Sequence, residues 1–90
     1  MNKNFTEKGF EHYLYWQREY RKILKRINDL IKDIARNGVD KGIGKPEPLR
    51  YEYAGHWSRR IDDKNRLIYR IDEQGNLLIE SCKGHYEKNV

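Results

Sequence analysis

Arg66-Leu67-Ile68-Tyr69-Arg70-Ile71 alternates along its whole length. In an extended chain, successive side chains point to opposite faces, so Leu67, Tyr69 and Ile71 share one side and Arg66, Ile68 and Arg70 the other. Such a strand packs its apolar side and turns its arginines to an outer face. The same period of two predicts strands at about 49–54, 57–61 and 77–82 beside this one at 65–71. Asp62 to Lys64 and Glu73 to Asn76 read as the turns between the last three, and such short connections imply an antiparallel meander.

Upstream the period changes to that of a helix. Ile23, Leu24, Ile27, Leu30, Ile31 and Ile34 recur on one stripe from Tyr20 onward, with Lys22, Lys25, Arg26 and Lys32 on the other faces and Gly38 placed to end it. Before it, Thr6 suits the cap of a shorter helix with Phe10, Tyr13 and Leu14 on one side, although Gly9 is a poor helix former. Within it Tyr13-Leu14-Tyr15-Trp16-Gln17 reads as core aromatics. Residues 38–48 hold three glycines and two prolines and predict a loop without regular structure. The fold class that follows is α+β: two N-terminal helices packed on one face of a small antiparallel sheet, in a single domain spanning 1–90.

Ninety residues leave no room for a second domain. A net charge of +5 points to a polyanion or an acidic protein as partner. Cys82 is the only cysteine, which excludes an intramolecular disulfide, and neither a signal peptide nor an apolar run of about 18 residues is present. A cytoplasmic location and no membrane association are therefore expected.

Candidate chemistry is sparse when each piece is taken alone. Gly38 to Lys45 is not a phosphate-binding Walker loop: five residues separate Gly38 from Gly44-Lys45, and Pro46 stands where Ser or Thr is needed. His12, His56, His85 and Cys82 show no zinc-ligand spacing, so no metal and no cofactor is expected. In Lys45-Pro46-Glu47-Pro48 two prolines hold Glu47 on a stiff segment, which suits a general base and equally an ordinary surface loop. Arg59, Arg60, Arg66 and Arg70 lie on adjacent strands, where alternation lets only some share the outer face, and solvated charge would explain them as well. His85-Tyr86 lies near the end, where chains commonly fray.

Together the fragments say more. Tyr13-Leu14-Tyr15-Trp16-Gln17, Ile27 to Asp33, Gly44-Lys45-Pro46-Glu47-Pro48-Leu49, Gly55 to Ile61, Arg66-Leu67-Ile68-Tyr69 and Cys82 to Tyr86 resemble, in order and spacing, the YoeB/Txe toxins of the RelE superfamily. The resemblance covers roughly 10–86, and the pair GKPEPL and WSRRI makes chance agreement implausible. It implies the same two helices and sheet, plus a first strand at the N-terminus that Met1 to Phe5 hardly announces, expected to be short or completed by a partner.

By resemblance the activity is metal-independent, ribosome-dependent cleavage of mRNA, in which the ribose 2′-hydroxyl attacks the adjacent phosphorus. Glu47 then matches the general base, His85 the general acid, and Arg66 and Arg60 the phosphate-stabilising arginines, with Lys45 and Arg50 as lesser phosphate contacts. Tyr86 would either stack on a base or hydrogen-bond the phosphate. The implied partners are a cognate acidic antitoxin, the ribosome and mRNA, with a second copy of the chain a further candidate. Glu87-Lys88-Asn89-Val90 continues beyond the resemblance, and folded inward it would crowd the site. The rival expectations are a RelE-like interaction module without catalysis, which would not need Glu47 and His85, and a plain basic nucleic-acid-binding domain.

Overall fold

The structure, a computed structural model, describes residues 1–85. Strand β1 (Lys3–Phe5) leads into helices α1 (Glu7–Glu19) and α2 (Arg21–Asn37), followed by β2 (Glu47–Pro48), β3 (Trp57–Arg60), β4 (Arg66–Ile71) and β5 (Leu77–Ser81). The strands form one sheet in the order β1-β5-β4-β3-β2, and both helices supply the core that covers one of its faces. Among the described residues no helix is long and apolar enough to cross a membrane.

Thr6 begins α1 as its sequence suggests. Its hydroxyl oxygen accepts the Gly9 N–H at 3.0 Å, and the hydroxyl also donates to the Glu80 carbonyl at 3.0 Å, so the cap is tied to β5 as well. Gly9 has a packing reason, since a Cβ there would collide with the Ile79 carbonyl oxygen. This close approach rotates α1 so that Gly9 and Trp16, seven residues apart and on one stripe, are buried. Phe10 and Leu14, expected on the packed side, are instead 49% and 40% exposed. The aromatic segment behaves as core: Trp16 is buried, with Tyr13 and Tyr15 packed at the edge of the cluster. In α2 the apolar stripe buries Ile27, Leu30, Ile31 and Ile34, and Gly38, at φ 96°, closes the helix by donating to the Ile34 carbonyl at 2.9 Å.

Alternation holds in β4, where Leu67 and Tyr69 join the helix-side core while Arg66, Ile68 and Arg70 take the outer face. That face is not bare. Ser58 and Ile68 are buried on it, and Leu49 is buried outside the helix-side core. Two expectations about the strands need correction. No strand spans 49–54: β2 is confined to Glu47–Pro48, inside the segment read as irregular, and Tyr51–Tyr53 forms a 3₁₀ turn. Tyr51 at φ 60° turns the chain out of extended geometry, so the ladder ends with the Leu49 N–H donating to the His56 carbonyl at 2.9 Å. The sheet is also mixed, because β1 runs parallel to β5 with Lys3, Asn4 and Phe5 beside Leu77, Leu78 and Ile79. Three residues held by main-chain bonds and anchored by Phe5, whose ring lies 5.1 Å from that of Tyr13, leave no periodic signal.

Arg59 corrects the reading of the arginine cluster as surface charge. It faces the helices, and its exposure is 0%. All five guanidinium donors are used: Nε to the Tyr69 hydroxyl at 2.9 Å, Nη1 to Asp33 Oδ2 at 2.6 Å and the Ile43 carbonyl at 3.0 Å, and Nη2 to the carbonyls of Gly38 at 2.8 Å and Lys41 at 2.6 Å. The Tyr69 hydroxyl in turn donates to the Val39 carbonyl at 2.6 Å. The hydrogen bond from Arg59 is the main reason the Asp33 carboxyl titrates below its ordinary range. A Cβ at Gly42, itself at φ 112°, would strike that carboxylate.

The end of β5 is held from the other side. Cys82 donates its N–H to His12 Nδ1 at 3.1 Å and accepts from Trp16 Nε1 at 2.8 Å. Burial lowers the His12 pKa, and Lys8 and Lys83 add to the effect against Glu11.

Two outcomes are expected. Arg59→Lys offers three donors for five acceptors and leaves buried carbonyls unpaired, so it should lose about 3 kcal/mol or more in urea unfolding. A loss under about 0.5 kcal/mol, the size of a neutral surface change, would show that the fork does not order the 38–44 loop. For His12 the folded-state pKa is depressed, so its contribution is complete above the unfolded value near 6.5 and is lost as pH falls below it. His12→Asn keeps an acceptor in place without titrating there, and between about pH 7.5 and about pH 5 it should lose less stability than the parent protein. Parallel pH profiles would remove His12 from the linkage.

Candidate active site

Glu47, Ser58, Arg60 and Arg66 meet on the outer face because ladder register puts them there. Glu47 pairs with Ser58 between β2 and β3, and Arg60 pairs with Arg66 between β3 and β4. Side chains directly opposite in an antiparallel ladder share a face. Arg66 donates Nε to Ser58 Oγ at 2.8 Å and Nη2 to Glu47 Oε1 at 3.1 Å, which fixes the plane of the guanidinium. Its side chain is 21% exposed and that of Glu47 49%, so an anion can reach the pair from solvent. Arg60 stands opposite Arg66 and pairs with Asp63. Two cations in direct cross-strand opposition repel, and an anion between them would relieve the repulsion.

The segment that leads to His85 is tied to the main chain of Arg66. Beyond Cys82 the segment turns back beside the start of β4, where the Arg66 N–H donates to the Gly84 carbonyl at 3.1 Å and the Gly84 N–H to Asn65 Oδ1 at 2.8 Å. The next residue, His85, is exposed. Asn65 is oriented in turn by Asp62, whose Oδ1 accepts from the Asn65 N–H at 2.8 Å and from its side-chain amide at 3.1 Å. Burial pushes the Asp62 carboxyl up, but the N–H groups of Lys64 and Asn65 outweigh it and the net shift is downward.

Of the residues singled out from the sequence, the fold thus brings together Glu47, Arg66 and Arg60, and His85 follows Gly84, whose carbonyl accepts from the Arg66 N–H. Lys45, at φ 52°, and Arg50, just ahead of the 3₁₀ turn, are exposed on either side of β2. Among the described residues neither bonds to the Glu47–Arg66 pair. Tyr86 and the tail 87–90 lie outside the described residues. Ser58 and Asn65 were missed. Ser58 sits two positions before Arg60 and so on its face, a signal available from alternation, whereas Asn65 reads as an ordinary turn residue.

The chemistry the site can offer is narrow. An exposed carboxylate and a fixed guanidinium can accept a proton and hold an anion, and the exposed imidazole of His85 is a group able to donate a proton. Thiolate chemistry is out of reach for Cys82, because burial pushes its thiol up to about 12. Among the described residues no group of three or more His, Cys, Asp or Glu is placed to hold a metal ion.

Comparison with known proteins is consistent along nearly the whole chain. Residues 5–86 match the family described as YoeB-like toxin of bacterial type II toxin-antitoxin system. Toxin YoeB of Synechocystis is 52% identical over 84 residues, 93% of this chain and 95% of that protein. Among solved structures, a YoeB–YefM complex and a YoeB dimer, both from Staphylococcus aureus, each give 45% identity and a TM-score of 0.88, covering 96% of this chain and 98% of that one. With the fold and the sequence in agreement, the chain belongs to the YoeB-like toxins of bacterial type II toxin–antitoxin systems.

Proposed function

We propose that the protein is an endoribonuclease that cleaves mRNA on the ribosome, using the ribose 2′-hydroxyl as nucleophile and no metal. The observation that carries this reading is the Glu47–Arg66 pair, oriented by Ser58 on the outer face and approached by the segment that bears His85. A scissile phosphate is a bidentate acceptor that competes with Glu47 for the Arg66 fork. Once displaced, the carboxylate takes the 2′-proton as the 2′-oxygen bonds to phosphorus. The bond to the 5′-oxygen breaks, and His85 protonates that oxygen as it leaves. The upstream fragment ends in a 2′,3′-cyclic phosphate and the downstream one in a 5′-hydroxyl.

Arg66 and Arg60 meet the charge that grows on the phosphorane, where preorganised donors act most strongly. Lys45 and Arg50 contact flanking phosphates, and Tyr86 stacks on a base or bonds the phosphate. With a net charge of +5, docking on ribosomal RNA is favourable and weakens as salt rises. A YefM-type antitoxin, acidic and partly disordered, would silence the toxin by covering the basic face. Self-association into a dimer is a further property carried over from the Staphylococcus relative.

Glu47→Gln and His85→Gln should each slow single-turnover cleavage of ribosome-bound message by ~10² to 10⁴-fold with ribosome binding nearly unchanged, the usual scale of general acid–base help. Wild-type turnover in His85→Gln would remove the acid. Arg66→Lys replaces a fork by a point charge and should lose on the order of 10²-fold. Full activity there would take Arg66 out of the chemistry. Chelation by EDTA, with ribosomes kept intact by other means, should leave cleavage in place, and rescue of an abolished activity by one divalent ion would contradict the metal-free scheme.

A further inference from the structure

The segment that leads out of β5 towards His85 is tied at each of its first three residues. The Cys82 N–H donates to His12 Nδ1 at 3.1 Å, and the Cys82 carbonyl accepts from Trp16 Nε1 at 2.8 Å, so two side chains one turn apart on α1 grip the same residue. The Lys83 ammonium rests 4.8 Å from the centre of the Tyr15 ring, again on α1. Gly84 is held by Asn65 Oδ1 and by the Arg66 N–H. Trp16, Asn65 and the main chain keep one protonation state across the neutral range. His12 does not.

The bond to His12 exists in only one form of the ring. Nδ1 can accept a backbone N–H only while it carries no proton, which leaves the proton of the neutral ring on Nε2. With both nitrogens protonated, the ring turns an N–H towards the Cys82 N–H, and two donors then face each other without an acceptor. Cys82 is fully buried, so its N–H finds no ready substitute. The new charge is opposed as well: burial disfavours it most, and Lys8 on α1 and Lys83 on the segment itself repel it, with Glu11 acting the other way. Both conflicts at the segment are relieved together when it draws away from α1, because Lys83 moves with Cys82. Since the Gly84 carbonyl accepts from the Arg66 N–H, that movement reaches the start of β4 at the site.

We propose that neutral His12 is a positioning residue of the nuclease: by accepting the Cys82 N–H it holds the segment that leads to His85, and its protonation releases that segment and slows cleavage. This role rests on the nuclease reading above. The test is single-turnover cleavage of ribosome-bound message between about pH 7.5 and about pH 5 by the wild type, His12→Asn and His12→Leu, with folding of each protein and integrity of the ribosomes checked at every pH. Asn presents Oδ1 where His presents Nδ1, and it does not titrate there. Glu47 and His85 are common to all three proteins, so their own titrations cancel in the rate ratios. His12→Asn should cleave within about twofold of the wild type near pH 7.5 and about threefold or more faster near pH 5, with ribosome affinity equal at both. His12→Leu, which has no acceptor, should be slow throughout; should it fail to fold, the comparison with Asn decides. In the NMR spectrum of the wild type, the Gly84 and Arg66 amides should show a transition at the His12 midpoint that is absent from His12→Asn. Parallel acid limbs for a cleaving wild type and His12→Asn, a folded His12→Leu with full rate near pH 7.5, or amides that ignore the His12 midpoint would each overturn the role of His12 and leave the nuclease standing. A wild type that cleaves no message overturns the nuclease reading, and this role with it.

Discussion

The Arg59 guanidinium carries five N–H donors, and it sits at zero exposure between α2 and the sheet, so every one of them has to be met by protein. Meeting them draws together Asp33 on α2, the Tyr69 hydroxyl on β4, and the carbonyls of Gly38, Lys41 and Ile43. A loop rich in glycine would otherwise sample many conformations, yet here its carbonyls point inward at one cation. The Arg60 N–H adds a bond to the Gly44 carbonyl at 2.7 Å. The chain therefore enters Lys45-Pro46-Glu47 from a fixed point, and the ladder with β3 sets Glu47 opposite Ser58. Neighbouring residues of one strand divide the work, with Arg59 turned inward to fold the loop and Ser58 and Arg60 turned outward towards the site.

At the other edge the same logic uses neutral groups. The peptide of Cys82 is held on both sides by α1, through His12 and Trp16, and Gly84 is held by Asn65 and by the main chain of Arg66. His85 thus follows a segment held by contacts made before it in sequence. A segment held in this way can carry an exposed residue on a fixed main chain, which is what the proposed proton transfer with RNA requires.

Legibility in the sequence followed from how each feature is encoded. The stripe of α2 and the alternation of β4 are periodic, and both were readable because burial of one face imposes the period. Strand β1 was not readable from the residues, since a three-residue parallel edge is specified by main-chain bonds and one phenylalanine. The limits of β2 depend on the positive φ of Tyr51, a residue type that gives no warning of it. Arg59 is the instructive case. It falls on the parity of Trp57 and Ile61, so an inward position was implied, but its acceptors are backbone carbonyls and an aspartate 26 residues away, which only the tertiary structure brings near. Glu47 and Arg66 gained meaning through their spacing with other fragments, whereas the orienting role of Ser58 emerged only from a hydrogen bond.

The chemical ends of the RNA fragments test the account most directly, because they record which oxygen attacked phosphorus. Mass spectrometry of messages cleaved on ribosomes by the purified protein should find a 2′,3′-cyclic phosphate on the upstream fragment and a 5′-hydroxyl on the downstream one. A 3′-hydroxyl paired with a 5′-phosphate would mean that water was the nucleophile, and the roles given to Glu47 and His85 would be contradicted.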